Sequence, residues 1–177
     1  MKGLQDMKKQ ASVIWLYGLS GSGKSTLANA LHNELESKGI KSKRLDGDIL
    51  RNGLNKDLGF SKEDRKENIR RAAEVAKLFS QQSILVICSF ITPTNELREL
   101  ARTIIGENYF KGIFVNSSLD TCIQRDVKGL YEKALNRDIL EFTGISSPFE
   151  FPSEESDKIN TETLSLNESL NELLKLI

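Results

Sequence analysis

Five short apolar runs alternate with longer stretches in which apolar residues recur every three or four positions. Residues 13–17, Val-Ile-Trp-Leu-Tyr, form an unbroken β-branched and aromatic run that suits a buried strand. Residues 25–38 place Leu27, Ala30, Leu31 and Leu35 at helical spacing, and Gly39 stops that helix. A short strand over 40–45 and a loop over 52–60 come next. Ser61, with Asp64 three residues on, marks a helix start and predicts a helix over 62–81. Residues 84–88, Ile-Leu-Val-Ile-Cys, read as a strand covered on both faces. Pro93 opens a helix to about residue 103, with Thr92 as its candidate N-cap. A strand over 109–115 and a short helix from Leu119 to Arg125 follow. From 126 to 156 the periodicity fades; basic residues, glycines and prolines there predict a mobile loop. Residues 158–160 form a last short strand, and Ser165 with Glu168 opens a terminal helix ending near Leu176. Repeated strand–helix units predict an α/β fold with a parallel sheet covered by helices on both faces.

Composition narrows the classes of function. At 177 residues the chain is expected to form one domain over 1–177, with 1–11 as an N-terminal extension. Its 25 basic and 25 acidic residues balance, so no global basic field directs it to nucleic acid or a membrane surface. Cys88 lies in an apolar run and Cys122 on an expected helix; they form no CxxC pair, which argues against a metal or redox role. No apolar stretch reaches transmembrane length, and residues 1–10 are polar and lysine-containing rather than a secretory signal. A cytoplasmic protein is expected.

The chemistry enters where the first strand breaks. Gly18-Leu19-Ser20-Gly21-Ser22-Gly23-Lys24-Ser25-Thr26 is a P-loop in the context that gives the pattern meaning, a strand before it and a helix after. Its glycines let backbone N–H groups wrap phosphates, Lys24 reaches the β- and γ-phosphates, and Ser25 holds Mg²⁺. The chain is therefore expected to bind ATP with Mg²⁺, on a P-loop NTPase-type sheet with a mobile lid over 126–156. His32 beside this helix is expected to be a surface or packing residue, since phosphoryl transfer needs no histidine base.

A phosphoryl acceptor should sit at the C-terminal ends of the strands. Leu45-Asp46-Gly47-Asp48 puts two carboxylates at a strand end, where one can take or align the proton of an acceptor hydroxyl. Asp46, nearer the strand tip, is the first candidate, with Asp48 assisting through Mg²⁺; a solvated Asp-Gly turn is the plain alternative. Arg65 and Asn68 share a helix face and suit an anionic ester and a base edge or hydroxyl, although a charged helix face is often only solvated. The strand over 84–88 ends in Cys88-Ser89 with no aspartate, so Ser25 carries more of the metal binding, which argues against a motor or an ordinary GTPase. Arg125 and Lys128 on a glycine-bearing loop suit a lid that closes over phosphates.

Seven ordered segments together resemble the adenylylsulfate kinase family. They are the P-loop, Leu45 to Asp48 with Arg51, Gly53 to Ser61, Asp64 to Arg71, Ser89 to Pro93, Arg125 to Tyr131 and Phe142 to Ile145. The resemblance spans about residues 12–175. It implies transfer of the ATP γ-phosphate to the ribose 3′-hydroxyl of adenylyl sulfate by a free-standing enzyme, and it suggests a homodimer. It also implies that Asp48, Arg51, Phe60, Arg65, Asn68, Ile91, Thr92, Lys128 and Phe142 form the adenylyl-sulfate pocket. Phe60 and Phe142 would sandwich the adenine, while Arg51, Arg65 and Lys128 neutralise the phosphate–sulfate anhydride. Arg125 and the chain near Thr161 would border the ATP adenine. Two positions depart from the family pattern. Thr92 stands where the family often has a serine described as carrying phosphate, and direct transfer gives Thr92 a substrate contact instead. Phe149 stands where tyrosine is common, which implies a slightly looser lid. Another small-molecule P-loop kinase, of gluconate or nucleoside type, and a non-catalytic nucleotide-binding module remain the alternatives.

Overall fold

A computed structural model describes residues 12–177, so the expected N-terminal extension over 1–11 lies outside the described residues. The elements run β1 (Val13–Tyr17), α1 (Lys24–Ser37), β2 (Ser42–Asp46), α2 (Gly47–Arg51), α3 (Lys62–Ser80), β3 (Leu85–Phe90), α4 (Asn95–Ile105), β4 (Phe110–Asn116), α5 (Leu119–Arg125), α6 (Leu130–Leu135), β5 (Lys158–Asn160) and α7 (Leu166–Leu176). The strands form one parallel sheet in the order β2-β3-β1-β4-β5.

The period-2 pattern of β1 explains its central place. Val13, Trp15 and Tyr17 point to one face, where they meet Ile69, Ala72, Ala73 and Ala76 of α3 and Leu97 and Ala101 of α4. Ile14 and Leu16 point to the other, against Leu27, Leu31 and Leu35 of α1 and Leu173 of α7. Both faces are buried, which is why the run reads as continuously apolar. The alanines of α3 let it approach closely; its N-cap is Ser61, whose hydroxyl accepts from the Asp64 amide at 3.1 Å. The terminal helix carries a full capping box between Ser165 and Glu168.

Because α1 leaves β1 to one face and α3 follows β2 to the other, a crevice opens at the C-terminal edge of the sheet. A third, smaller cluster of Leu19, Cys122, Tyr131, Ala134 and Phe142 lies beyond that edge, under the 126–149 segment.

Three expectations are corrected. The α4 helix starts at Asn95, not Pro93, and its N-cap is Thr94, whose hydroxyl accepts from the Leu97 amide at 3.3 Å; Thr92 is not a helix cap. The Asp46-Gly47-Asp48 segment is the start of the helical turn α2, with Asp46 as its cap. The 126–156 segment is not without regular structure: it contains α6, whose first amides are bound by the Asp126 carboxylate.

Candidate active site

The P-loop bends between β1 and α1. Gly18 donates its amide to the Ile91 carbonyl at 3.2 Å, and a Cβ there would lie 2.5 Å from the Val115 carbonyl oxygen, so only glycine fits. Lys24 is the first residue of α1 and is buried; its ammonium donates to the Leu19 carbonyl at 2.5 Å and the Ser22 hydroxyl at 3.4 Å. Burial, reinforced by the positive charge of Lys128, pushes its pKa down from 10.5 to about 8, against the opposing pull of Asp48 and Asp46.

Asp46 and Ser89 are register partners on adjacent strands. Asp46 Oδ2 accepts from Ser25 Oγ at 2.6 Å and from Ser89 Oγ at 2.7 Å, while Oδ1 accepts the Asp48 amide at 3.0 Å. Burial alone would raise this carboxyl, but the three hydrogen bonds hold it below the ordinary carboxylate value. The end of β3, which carries no aspartate, thus lies beside a carboxylate on the neighbouring strand β2. Asp48 has a different setting: its side chain is 63% exposed and forms an ion pair with Lys128 from the 126–156 segment.

The side facing the P-loop is built by α2, the loop after it and α3. Arg51 donates to the carbonyls of Leu58 (3.1 Å) and Gly59 (2.8 Å), and its guanidinium stacks 4.4 Å from the Phe60 ring centroid. Arg65 donates to the Phe60 carbonyl (2.8 Å), to Thr143 Oγ1 (2.8 Å) and to the Glu141 carbonyl, joining α3 to the 126–156 segment. Asn68 is buried and accepts from Asn55 Nδ2 at 2.9 Å.

Between the two sides lies the bend after β3. Thr92 is buried, has φ 43°, and its hydroxyl accepts from the buried Trp15 indole at 2.9 Å. Arg98 donates to its carbonyl at 3.2 Å. The Thr92 hydroxyl is thereby tied to the core.

These elements enclose a cavity of about 450 Å³, a volume within the range of small-molecule sites. Ser20, Gly21, Gly23, Lys24, Ser25 and Thr26 line its P-loop side. Asp46, Asp48, Arg51, Phe60, Arg65 and Asn68 line the opposite side, with Ile91, Thr92, Lys128 and Phe142 between. Gly18, Leu19, Ser22 and Arg125 do not line it: the first three frame the loop from behind, and Arg125 donates to the Thr161 carbonyl at 2.7 Å outside it. Phe60 is half exposed, whereas Phe142 lies edge-on to Tyr131 at 4.9 Å and is almost fully covered.

A family model described as adenylylsulphate kinase matches residues 10–160. The chain belongs to the adenylylsulphate kinase family. An adenylyl-sulfate kinase of Bacteroides thetaiotaomicron is 51% identical over 174 residues, covering 98% of this chain and 87% of the relative. One of Phocaeicola vulgatus is 53% identical over 165 residues, covering 93% and 81%. Among solved structures, the Mycobacterium tuberculosis APS kinase CysC in complex with AMPPNP and APS superposes with a TM-score of 0.90 at 41% identity, covering 94% of this chain and 97% of that one.

Several contacts that shape the site had no sequence signal of their own. The Tyr131 hydroxyl donates to the Ser20 carbonyl at 2.9 Å and ties α6 to the P-loop. Arg98 stacks 4.6 Å from the Tyr17 ring and 5.2 Å from Phe149. Phe149 also stacks with Phe114 at 6.0 Å, and the next residue, Glu150, bonds Pro93 through its amide at 2.8 Å. The departure at Phe149 therefore leaves that end of the segment well anchored. Among the described residues no group of three or more His, Cys, Asp or Glu is placed to hold a metal, and no helix is long and apolar enough to cross a membrane.

Proposed function

We infer that the protein transfers the γ-phosphoryl group of ATP to the 3′-hydroxyl of adenylyl sulfate, giving ADP and 3′-phosphoadenylyl sulfate. The observation that carries this reading is one cavity shared by the P-loop and by Asp48, Arg51, Phe60, Arg65, Asn68 and Phe142, in a chain of this family. In the reaction a bond forms from ribose O3′ to the γ-phosphorus, the bond to the β–γ bridging oxygen breaks, and the hydroxyl proton leaves to a carboxylate. Catalysis of this kind is mostly positioning and charge stabilisation.

The two carboxylates divide the work. The three hydrogen bonds that engage Asp46 support giving it to Ser25 and the metal rather than to the proton. The exposed, Lys128-paired carboxylate of Asp48 supports giving it to the acceptor hydroxyl. Ser25 Oγ and Asp46 Oδ2, 2.6 Å apart, are hard oxygen donors of the type Mg²⁺ takes, with phosphate oxygens and water completing its shell. Held there, Mg²⁺ would supply charge neutralisation at the β- and γ-phosphates. Lys24 lies against the same phosphates, and Lys128 serves the anionic acceptor. Phe60 offers a stacking face to the adenine, with Phe142 as the opposite wall. The 126–156 segment is the lid in this reading, and its contacts with Arg65 and with the P-loop through Tyr131 hold it over the site. The family resemblance supports a homodimer, and the need for ATP supports a cytoplasmic place.

A coupled assay of ADP release tests the reading. Turnover is expected with adenylyl sulfate and not with gluconate or a nucleoside. No adenylyl-sulfate turnover above the ATP-only background overturns it.

A further inference from the structure

Asn55 lies in the loop between α2 and α3 and is fully buried, although a loop asparagine is ordinarily at the surface. The loop is held in place around it. Its own amide donates to the Leu50 carbonyl at 2.8 Å, and Arg71 of α3 grips the loop through the Leu54 carbonyl (3.1 Å) and the Asp57 carboxylate (2.7 Å). The Asn55 side chain makes one hydrogen bond, from Nδ2 to Oδ1 of Asn68 at 2.9 Å. Its Oδ1 is buried without a partner among the described residues.

This pairing fixes which end of the Asn68 amide faces the cavity. With Oδ1 of Asn68 occupied by Asn55, the amide left over is Nδ2, a donor. The opposite register would turn Asn68's carbonyl to the cavity and bury the Asn55 amide, with its two N–H groups, without an acceptor. A buried carbonyl without a partner costs less than a buried N–H donor, so the observed register is the favoured one.

We propose that Asn55 is a positioning residue for the acceptor nucleotide: it holds the Asn68 amide with its N–H₂ toward the cavity, so that the site selects a hydrogen-bond acceptor on the nucleoside of adenylyl sulfate. The proposal rests on the reading that Asn68 touches that nucleotide. Asn55 itself does not line the cavity and acts only through Asn68. Without it the Asn68 amide is free to rotate, and the donor is presented only part of the time.

The test is a double-mutant cycle with Asn55→Ala and Asn68→Ala, read in KM for adenylyl sulfate, KM for ATP and kcat. Asn55→Ala is expected to raise the adenylyl-sulfate KM about three- to tenfold, with the ATP KM and kcat unchanged within about twofold. In the Asn68→Ala background the same substitution is expected to change nothing further. Asn55→Leu, which removes the unpartnered carbonyl as well as the donor and keeps the site filled, guards against a folding defect. It should show the same KM rise with unfolding by urea at least as late as in Asn55→Ala. An unchanged adenylyl-sulfate KM in folded Asn55→Ala and Asn55→Leu overturns the proposal, as does a rise that persists in the Asn68→Ala background. If Asn68→Ala alone leaves that KM unchanged, the assignment of Asn68 to the acceptor falls, and the role of Asn55 falls with it.

Discussion

In the proposed reaction, Lys24 and Asp48 are the two side chains whose surroundings bear most directly on the chemistry. The Lys24 ammonium is desolvated and has a pKa of about 8, so in the ATP-free protein it sheds its proton as the pH rises through that value. ATP affinity, measured by calorimetry, is therefore expected to fall above pH 8. Stability follows the opposite sign. The unfolded chain keeps this proton up to the ordinary value of 10.5, so between about 8 and 10.5 it binds more protons than the folded state. Over that window the contribution of Lys24 to the unfolding free energy rises with pH, and Lys24→Met should remove that part of the slope in urea titrations. Asp48→Asn is expected to lower kcat by roughly 10²–10⁴-fold, as for loss of a proton acceptor, with the ATP KM little changed. Asp46→Asn should instead raise the Mg²⁺ concentration needed for half-maximal rate. Identical profiles for the two variants would remove the division of labour between them.

At the scale of elements, α6 and its cap explain how a stretch that reads as loop becomes part of the site. Asp126 accepts from the amides of Leu130, Tyr131 and Glu132, so one carboxylate satisfies three donors that a short helix would otherwise leave open. The helix then presents Tyr131 to the Ser20 carbonyl and supports Phe142 from its edge. Asp126→Ala is expected to lower the urea midpoint of unfolding and to speed hydrogen exchange in residues 130–135 while leaving the central sheet protected. Unchanged exchange there would mean that tertiary packing alone holds α6. Where apolar residues face a common core, as in β1, α1, α3 and α7, the element was legible within a residue or two. It was not legible in α2 and α6, which have five and six residues. Helices that short span fewer than two turns, too few for an apolar face to repeat, and side-chain carboxylates bind their first amides instead.

For the whole molecule, the P-loop motif, the strand–helix alternation and the ordered segments were enough to fix the fold class, the nucleotide and the family, because each depends on local residue type and spacing. Gly18 to Thr26 can wrap a phosphate only in that order, and β1 is apolar at every position because both faces of a central parallel strand are covered. The tertiary structure decided what depends on two distant segments meeting. It paired Asp46 with Ser25 and Ser89 and made the first candidate base the cap of α2, which supports the metal-side role proposed for it. It tied Thr92 to Trp15, 77 positions away, and left the N-cap to Thr94. It brought Lys128 to Asp48 across 80 positions and buried Asn55 behind Asn68. A hydrogen bond is directional and short, so which oxygen it occupies is settled only when the packed sheet and helices bring the two groups within reach.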